Sequence, residues 1–455
     1  MTYTPVPPIV TARLSAHDDA HTLQRAVTTG AYSGLRKALG QTPEAVHETV
    51  KVAVLQGRGG AGFPAGNKWG LLPAGKFPRW IVVNGDESEP GTYKDRILME
   101  RDPHQLIEGA LICAYACRAS QVFIYVRGEM ALAQERMADA INEAYAAGYA
   151  GRNICGSDWS MDVTLHWGAG AYIVGDETAL LESLSGRRGM PRPKPPYFPA
   201  VMGLYDDPTI VNNVETLANL PWIVLNGGEA FAALGSEKTH GTRMYAVSGH
   251  VKNPGTFEVE SGKVTFRDMF YDPRLGGGIR HNRKVKAFIP GGGSAPWFFE
   301  EHLDLPLDPS VVSAAGSMLG SGAIIVMDDT TDMVRAAWRL VRFYAHESCG
   351  KCTPCREGAS WLQRIYERIL QGQGRPADMA LLADVGSNIS PGPFPGPGVN
   401  PGDAPFAPFP YKKTTICDLG PSTVSAVMST LRRFPEEYEA YIAQNTSLVE
   451  KSAAS

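Results

Sequence analysis

The chain has 455 residues and a formal net charge of −4, with Lys and Arg scattered along its length. That length predicts about two to four domains, the composition is that of a soluble globular protein, and no basic field points to nucleic acid. Met1–Ala20 has no apolar core of signal-peptide type, and no stretch approaches about 18 uninterrupted apolar residues, so direct membrane insertion is not expected. The seven cysteines form no paired framework, which argues for a reducing compartment.

Residues 1–65 read as helical and then glycine-rich. Val46, Val50, Ala53 and Val54 fall on one side of a helix over Ala45–Leu55. Next comes the run Gly57-Arg-Gly-Gly-Ala-Gly-Phe-Pro64. Gly57, Gly59 and Gly62 match G-x-G-x-x-G, but the dinucleotide fingerprint needs a strand before it and a helix after it. Here a helical pattern precedes it, and Phe63-Pro64 interrupts the next segment. The glycines still allow backbone N–H groups to approach an anion or a flat ring, with Arg58 and Lys68 available to a phosphate. A mobile turn without a ligand is the alternative.

Residues 66–235 read as α/β. Strands are predicted at Trp80–Val83, Val122–Val126 and Asp162–His166, and helices at Gln105–Cys117 and Met130–Ala147. This alternation implies a mostly parallel sheet. Asn84-Gly-Asp-Glu-Ser-Glu89 stands where the first strand ends, the edge at which open α/β sheets bind ligands. A solvated acidic face is the plainer reading. Gly168–Thr178 repeats the order of strand, glycines and acids. Carboxylates accept hydrogen bonds from ribose hydroxyls and repel a 2′-phosphate, which favours NADH over NADPH. Cys113, Cys117 and Cys155 read as small buried hydrophobes.

Residues 240–328 suggest a small α+β module with strands at Arg243–Ser248 and Lys286–Ile289. From Asp329 the pattern turns helical. Thr330 or Thr331 is the expected cap of a helix ending at His346, with Val334, Ala337, Trp338, Val341 and Ala345 on one face. Further helices are predicted near Ala359–Leu370, with Trp361, Leu362, Ile365 and Ile369 inward, and near Ser422–Arg433. Between these two lies a Pro/Gly-dense loop, Ile389–Lys413. Residues 329–455 thus predict a helical bundle.

That bundle carries Cys349, Cys352 and Cys355, in His346-Glu-Ser-Cys-Gly-Lys-Cys-Thr-Pro-Cys-Arg-Glu-Gly358. The i, i+3, i+6 spacing is that of the first three ligands of a ferredoxin-type [4Fe–4S] site. Zinc sites come instead as two separated pairs. Cys417 is the candidate fourth ligand, since the remaining cysteines lie far upstream.

The runs Gly57–Trp69, Asn84–Arg96, Gly168–Leu180, Pro191–Pro196, Asn212–Thr216 and His346–Gly358, in this order, resemble the flavin- and NADH-binding subunit of respiratory NADH dehydrogenase (complex I). The resemblance spans about residues 30–434. It implies an α/β multidomain fold: a Rossmann-like FMN/NADH domain, a ubiquitin-like β-grasp (SLBB-type) module and a C-terminal four-helix bundle with a [4Fe–4S] cluster. It implies FMN near Arg58, Gly59, Gly60 and Lys68, with Asn84, Asp86, Tyr172, Asn212 and Asn213 completing the site. NADH would use Phe63, Glu89, Asp176, Glu177 and Lys194. Ala61, Gly62, Glu87 and Gly175 belong to the same cofactor-binding set.

Hydride transfer is then borne by the cofactors. No side chain is expected as acid or base, and Glu89 lies near flavin and nicotinamide. The implied partners are a thioredoxin-like [2Fe–2S] subunit and the large Fe–S subunit, and the implied location is cytoplasmic, peripheral to the inner membrane. A diaphorase subunit of a soluble NAD-linked hydrogenase or formate dehydrogenase is the alternative, and a zinc-bearing assembly module the non-enzymatic one. The chain departs from the family pattern at Asp176, where Glu is usual, at Leu71, where an aromatic is usual, at the one-residue insertion around Tyr197-Phe198, and at the Pro/Gly loop.

Overall fold

The computed structural model describes residues 5–391, 412–444 and 447. The chain divides into two compact units: Met1–Ser88 with Thr92–Ala246 and Thr256–Val264, and Glu89–Gly91 with Val247–Gly255 and Thr265–Ser455.

In the first unit β1 (Trp80–Gly85), β2 (Gln121–Val126), β3 (Val163–Trp167) and β4 (Thr209–Asn213) form a parallel sheet in the order β3-β2-β1-β4. The sheet is Rossmann-like. Ile81, Val82 and Val83 in central β1 are wholly buried, as expected of a parallel strand covered on both faces, which reads as a continuous apolar run. β4 has no counterpart among the strands expected from the sequence. Its apolar core is only Ile210-Val211, flanked by Thr209, Asn212 and Asn213, too short a signal to separate from a loop.

The helix Pro103–Ala116 lies almost entirely inside, consistent with its apolar residues running all round. Proline suits its first position because the missing N–H has no intrahelical partner there. Cys113 and Cys117 are buried as expected, whereas Cys155 is only half-buried and has φ 56°. The helix Ala131–Ala146 turns Ala133, Met137, Ala140, Ile141 and Ala144 inward, the i, i+4, i+7 spacing of one face. β5 (Thr242–Gly249) and β6 (Gly255–Glu260) also begin or lie mainly in this unit.

In the second unit β7 (Val285–Ile289) pairs antiparallel with β8 (Ala323–Asp328), with a register shift between Val285 and Ala287. Helices Met333–Glu347, Thr353–Arg368, Asp378–Ile389 and Leu419–Arg433 pack on one another. Their shared core contains Val334, Val341, Leu362, Ile365, Leu382, Val424 and Val427. Three expectations change here. The cap of the first of these helices is Asp332, whose carboxylate accepts from Arg335 N, while Thr330 closes a turn on Asp328. Trp361, expected inward, is 53% exposed. The second helix starts at Thr353 rather than near Ala359, so Cys355 lies in its first turn. The helix Asp378–Ile389 is an addition to the expected bundle, and most of the Pro/Gly loop (392–411) lies outside the described residues.

Gly109 sets the approach of the buried helix Pro103–Ala116: a β-carbon there would stand 2.0 Å from Leu217 O. Gly109→Ala is therefore expected to lower stability by about 1–3 kcal/mol, measured as a shift in the denaturation midpoint. An unchanged midpoint would mean that this contact does not limit the packing.

Candidate cofactor sites

The glycine run is closed at its base. Gly57 N donates to Phe63 O at 3.0 Å, and Ala65 N to Leu55 O at 2.8 Å. Gly60 and Gly62 have φ of 141° and 69°, values that L side chains rarely adopt. Arg58 N donates to Thr216 Oγ1 at 2.8 Å, and a β-carbon on Gly59 would stand 3.0 Å from Asn213 Cβ. The loop therefore rests on the turn after β4.

The Arg58 side chain is fully buried, with Nη2 donating to His240 O and Thr242 O at 2.8 Å each. Burial pulls its pKa down to about 10, against the opposing pull of Glu215. Its Nε and Nη1 have no hydrogen-bond partner among the described residues. Orphaned guanidinium donors beside a glycine loop fit an anionic group such as a nucleotide phosphate. Phe63 presents a ring that is 51% exposed.

Parallel strands bring further polar groups to the same carboxyl edge. Asn84 stands level with Tyr125 of β2 and Asn213 of β4. Asn84 Nδ2 donates to Gly175 O at 2.9 Å, and Ser88 Oγ donates to Asp86 Oδ1 at 2.6 Å. Trp69 Nε1 donates to Asn212 Oδ1 at 3.0 Å. Asp86, Tyr172 and Gly175 are thus gathered with the turn after β3, as Ser88 Oγ also lies 3.3 Å from Tyr172 O.

Glu177 sits between two ammonium groups. Lys68 Nζ donates to Oε2 at 2.8 Å and Lys194 Nζ to Oε1 at 2.6 Å. Burial pushes the carboxyl up, but the two lysines outweigh it and hold it down at about 2, so it is charged at neutral pH. Lys68 also donates to Val211 O at 2.9 Å. Runs that are far apart in sequence therefore meet on one carboxylate.

Two acids have structural duties. Asp176 Oδ1 caps the helix Glu177–Leu184, accepting from Thr178 N, Thr178 Oγ1 and Ala179 N. Glu87 accepts from Lys94 N, Asp95 N and Arg96 N at 2.8–2.9 Å. Burial, with the Asp95 charge beside it, pushes Glu87 up to about 7. Both Glu87 oxygens hold a helix N-terminus. Glu89 belongs to the second unit, where Oε1 accepts from Ser294 N at 2.6 Å. Tyr197 lies under Arg192, 4.9 Å from the ring centre, while Phe198 is exposed.

Cys352 is the N-cap of the helix Thr353–Arg368 and Cys355 lies in its first turn. Cys355 is buried, which pushes its thiol up to about 11; the neighbouring Cys352 and Cys349 act in the same direction. Cys417 is also buried and directly precedes the helix Leu419–Arg433 by way of Asp418. Gly358 and Gly420 each lie three residues past one of these thiols, and β-carbons on them would meet the Ile389 side chain at 2.7 and 3.0 Å. One side chain thus separates the two cysteine-bearing helix starts. Helix N-termini favour anions, so this donor set suits a thiolate-ligated cluster. Among the described residues, no three His, Cys, Asp or Glu side chains converge on a single metal ion.

Sequence reasoning missed Thr216, Trp69, Lys94 and Glu215. Lys94 stands inside the Asn84–Arg96 run and is a lysine with no exposed surface. Only its burial, which the sequence does not carry, marks it out.

A glycine loop with orphaned guanidinium donors suits a flavin nucleotide, and thiols at helix starts suit an iron–sulfur cluster; the class these define is an iron–sulfur flavoprotein. Residues 50–222 match the family described as the Nuo51 FMN-binding domain, and residues 335–394 match the NADH-ubiquinone oxidoreductase-F iron-sulfur binding region. The chain is 48% identical over 416 residues to the F subunit of the NADH-quinone oxidoreductase of Mycobacterium tuberculosis, covering 90% of this chain and 87% of the relative. It is 41% identical over 428 residues to the F subunit of the Aquifex aeolicus oxidoreductase, covering 94% and 93%. A solved structure of an NAD+-reducing [NiFe]-hydrogenase in the H2-reduced state is similar, with a TM-score of 0.78 and 30% identity, covering 99% of this chain and 70% of the hydrogenase chain. The chain belongs to the family of NADH-quinone oxidoreductase F subunits. It is the NADH dehydrogenase input component of complex I, with NADH:quinone oxidoreductase activity, and uses FMN, NADH and a [4Fe–4S] cluster.

Gly420→Val is expected to force apart Thr415, which a β-carbon meets at 2.6 Å, and Ile389. Iron content per chain should fall while FMN content is retained. Full iron occupancy would separate this packing from cluster binding.

Proposed function

We propose that FMN is held by Arg58, Gly59, Gly60, Ala61, Gly62 and Lys68 on one side and by Asn84, Asp86, Tyr172, Gly175, Asn212 and Asn213 on the other. NADH is bound by Phe63, Glu89, Asp176, Glu177 and Lys194. The observation that carries this reading is the Lys68–Glu177–Lys194 clamp, because it joins the glycine-loop helix, the turn after β3 and the proline-rich Pro191–Pro196 run. FMN held there would supply the chemistry that links two-electron hydride transfer to one-electron transfer. The protein binds and orients: amides and Arg58 take the phosphate, the asparagines hold the ring, and Glu177 bonds a ribose hydroxyl and offsets the attraction of Lys68 and Lys194 for a 2′-phosphate. Asp176 acts mainly by fixing the helix that presents Glu177. No side chain serves as acid or base.

Cys349, Cys352, Cys355 and Cys417 are the cluster ligands in this reading. The Fe–S family match ends at residue 394, so Cys417 rests on its helix-start position and on Ile389. Domains run 1–65 (N-terminal helices and glycine loop), 66–235 (FMN/NADH domain), 240–328 (β-grasp module, strands β5 to β8) and 329–455 (four-helix bundle). The chain works beside a thioredoxin-like [2Fe–2S] subunit and a large Fe–S subunit, on the cytoplasmic side and peripheral to the membrane. No helix among the described residues is long and apolar enough to cross a membrane. The likeness to a hydrogenase chain keeps a diaphorase role in a soluble NAD-linked complex as the second reading. Affinity purification separates the two by whether quinone-reductase or hydrogenase subunits come down with the chain.

Two variants test these roles. Cys352→Ala should lose the cluster yet keep measurable NADH-to-ferricyanide activity, because flavin reduces that acceptor directly; complete loss of flavin would contradict separable sites. Glu177→Gln should raise the NADPH-to-NADH ratio of kcat/KM about tenfold, equivalent to about 1.4 kcal/mol, because it leaves Lys68 and Lys194 without their carboxylate. An unchanged ratio would remove that role.

A further inference from the structure

Behind the glycine loop lies a group of buried charges that the cofactor contacts do not use. Lys94 has no exposed surface. Its Nζ lies 2.9 Å from Asp95 Oδ1 and 2.8 Å from Glu215 Oε2, and Glu215 is equally enclosed. One ammonium therefore serves two buried carboxylates. Removing it would take the paired ammonium from both, a change that is strongly destabilising for buried charges.

Each carboxylate leads to the loop. Asp95 Oδ2 accepts from Asn213 Nδ2 at 2.7 Å, and Asp95 Oδ1 accepts from Glu215 N at 3.1 Å. Asn213 Oδ1 in turn accepts from Thr216 N at 3.3 Å. Both side-chain ends of Asn213 are thereby set, and Asn213 Cβ is the atom that Gly59 approaches. Thr216 Oγ1 accepts from Arg58 N. Glu215 Oε1 accepts from Met244 N at 2.8 Å, on β5, and Glu215 is the main charge favouring the Arg58 cation. The contacts form one chain: Lys94 to Asp95 and Glu215, these to Asn213 and Thr216, and these to Arg58 and Gly59.

We infer that Lys94 is a positioning residue for the flavin: through Asp95 and Glu215 it fixes the Asn213–Thr216 turn, against which the Arg58–Gly59 segment of the glycine loop is set. A purely fold-stabilising ion pair would lower the melting temperature without altering how the folded chain holds flavin. A positioning role changes flavin binding in chains that remain folded. The inference rests on the reading of the glycine loop as the FMN site.

The test uses the full-length chain with its cofactors. FMN release is followed by the rise in free-flavin fluorescence on dilution, and the visible circular dichroism of bound flavin and the thermal midpoint are recorded in parallel. Lys94→Met is expected to raise the FMN dissociation constant at least tenfold and to alter the flavin dichroism, with iron content unchanged. Asp95→Asn, which is nearly isosteric, is expected to act in the same direction and serves if Lys94→Met does not fold. Gly59→Ala is the control for the site itself. If Gly59→Ala weakens FMN while folded Lys94→Met, or Asp95→Asn in its place, leaves both affinity and dichroism unchanged, the inference is overturned and the site reading stands. If Gly59→Ala also leaves FMN binding unchanged, the glycine-loop reading fails and the inference falls with it.

Discussion

Parallel register is the constraint on which the nucleotide-binding unit depends. Because β1 to β4 all run the same way, their carboxyl ends come to one edge, and the segments that begin at Asp86, Gly168 and Val214 leave from that edge. Asn84 and Asn213 are level across β1 and β4, and Gly168 N bonds Val126 O across β2 and β3. A one-residue slip in a pair would exchange the residues that pack on the two faces of the sheet and shift every polar group at its carboxyl edge. The wholly buried Ile81, Val83, Ile124 and Ile210 make that slip costly. Core packing thus fixes the site's geometry.

The unit places charge where desolvation is expensive and compensates each case locally. Glu177 has two lysines, Lys94 has two carboxylates, and Glu87 has the amides of a helix start. Such pairs are weak sources of stability, since desolvation offsets the attraction. Their evident contribution here is direction, because the Lys68–Glu177–Lys194 and Lys94–Glu215 pairs join segments distant in sequence. The orphaned Arg58 donors are the exception. Buried donors without a hydrogen-bond acceptor are expensive unless a ligand completes them.

Much of this is legible in the sequence because its signals are local. Long amphipathic or apolar helices such as Ala131–Ala146 announce themselves by spacing, and the cysteine triple by its chemistry. β4 is hidden because Thr209, Asn212 and Asn213 are polar residues held by tertiary partners: Trp69 bonds Asn212 and Asp95 bonds Asn213. The helix Asp378–Ile389 does carry a signal, with Leu382, Val385 and Ile389 inward, but the proline-rich stretch after it masks that signal by reading as a loop. The capping duties of Asp176 and Glu87 are hidden because a sequence shows the acid and not the N–H groups it faces. The ordered runs nevertheless point to the family, which the 48% identity to the Mycobacterium tuberculosis relative establishes.

The central claim is that one chain converts two-electron into one-electron chemistry by holding both cofactors. Anaerobic titration of the purified chain with NADH, followed by visible absorption and EPR together, tests it most directly. With FMN and about four irons bound, NADH should bleach the flavin and raise the EPR signal of a reduced [4Fe–4S] cluster in the same titration. A chain carrying both cofactors whose flavin and EPR spectra do not respond to NADH would contradict the account.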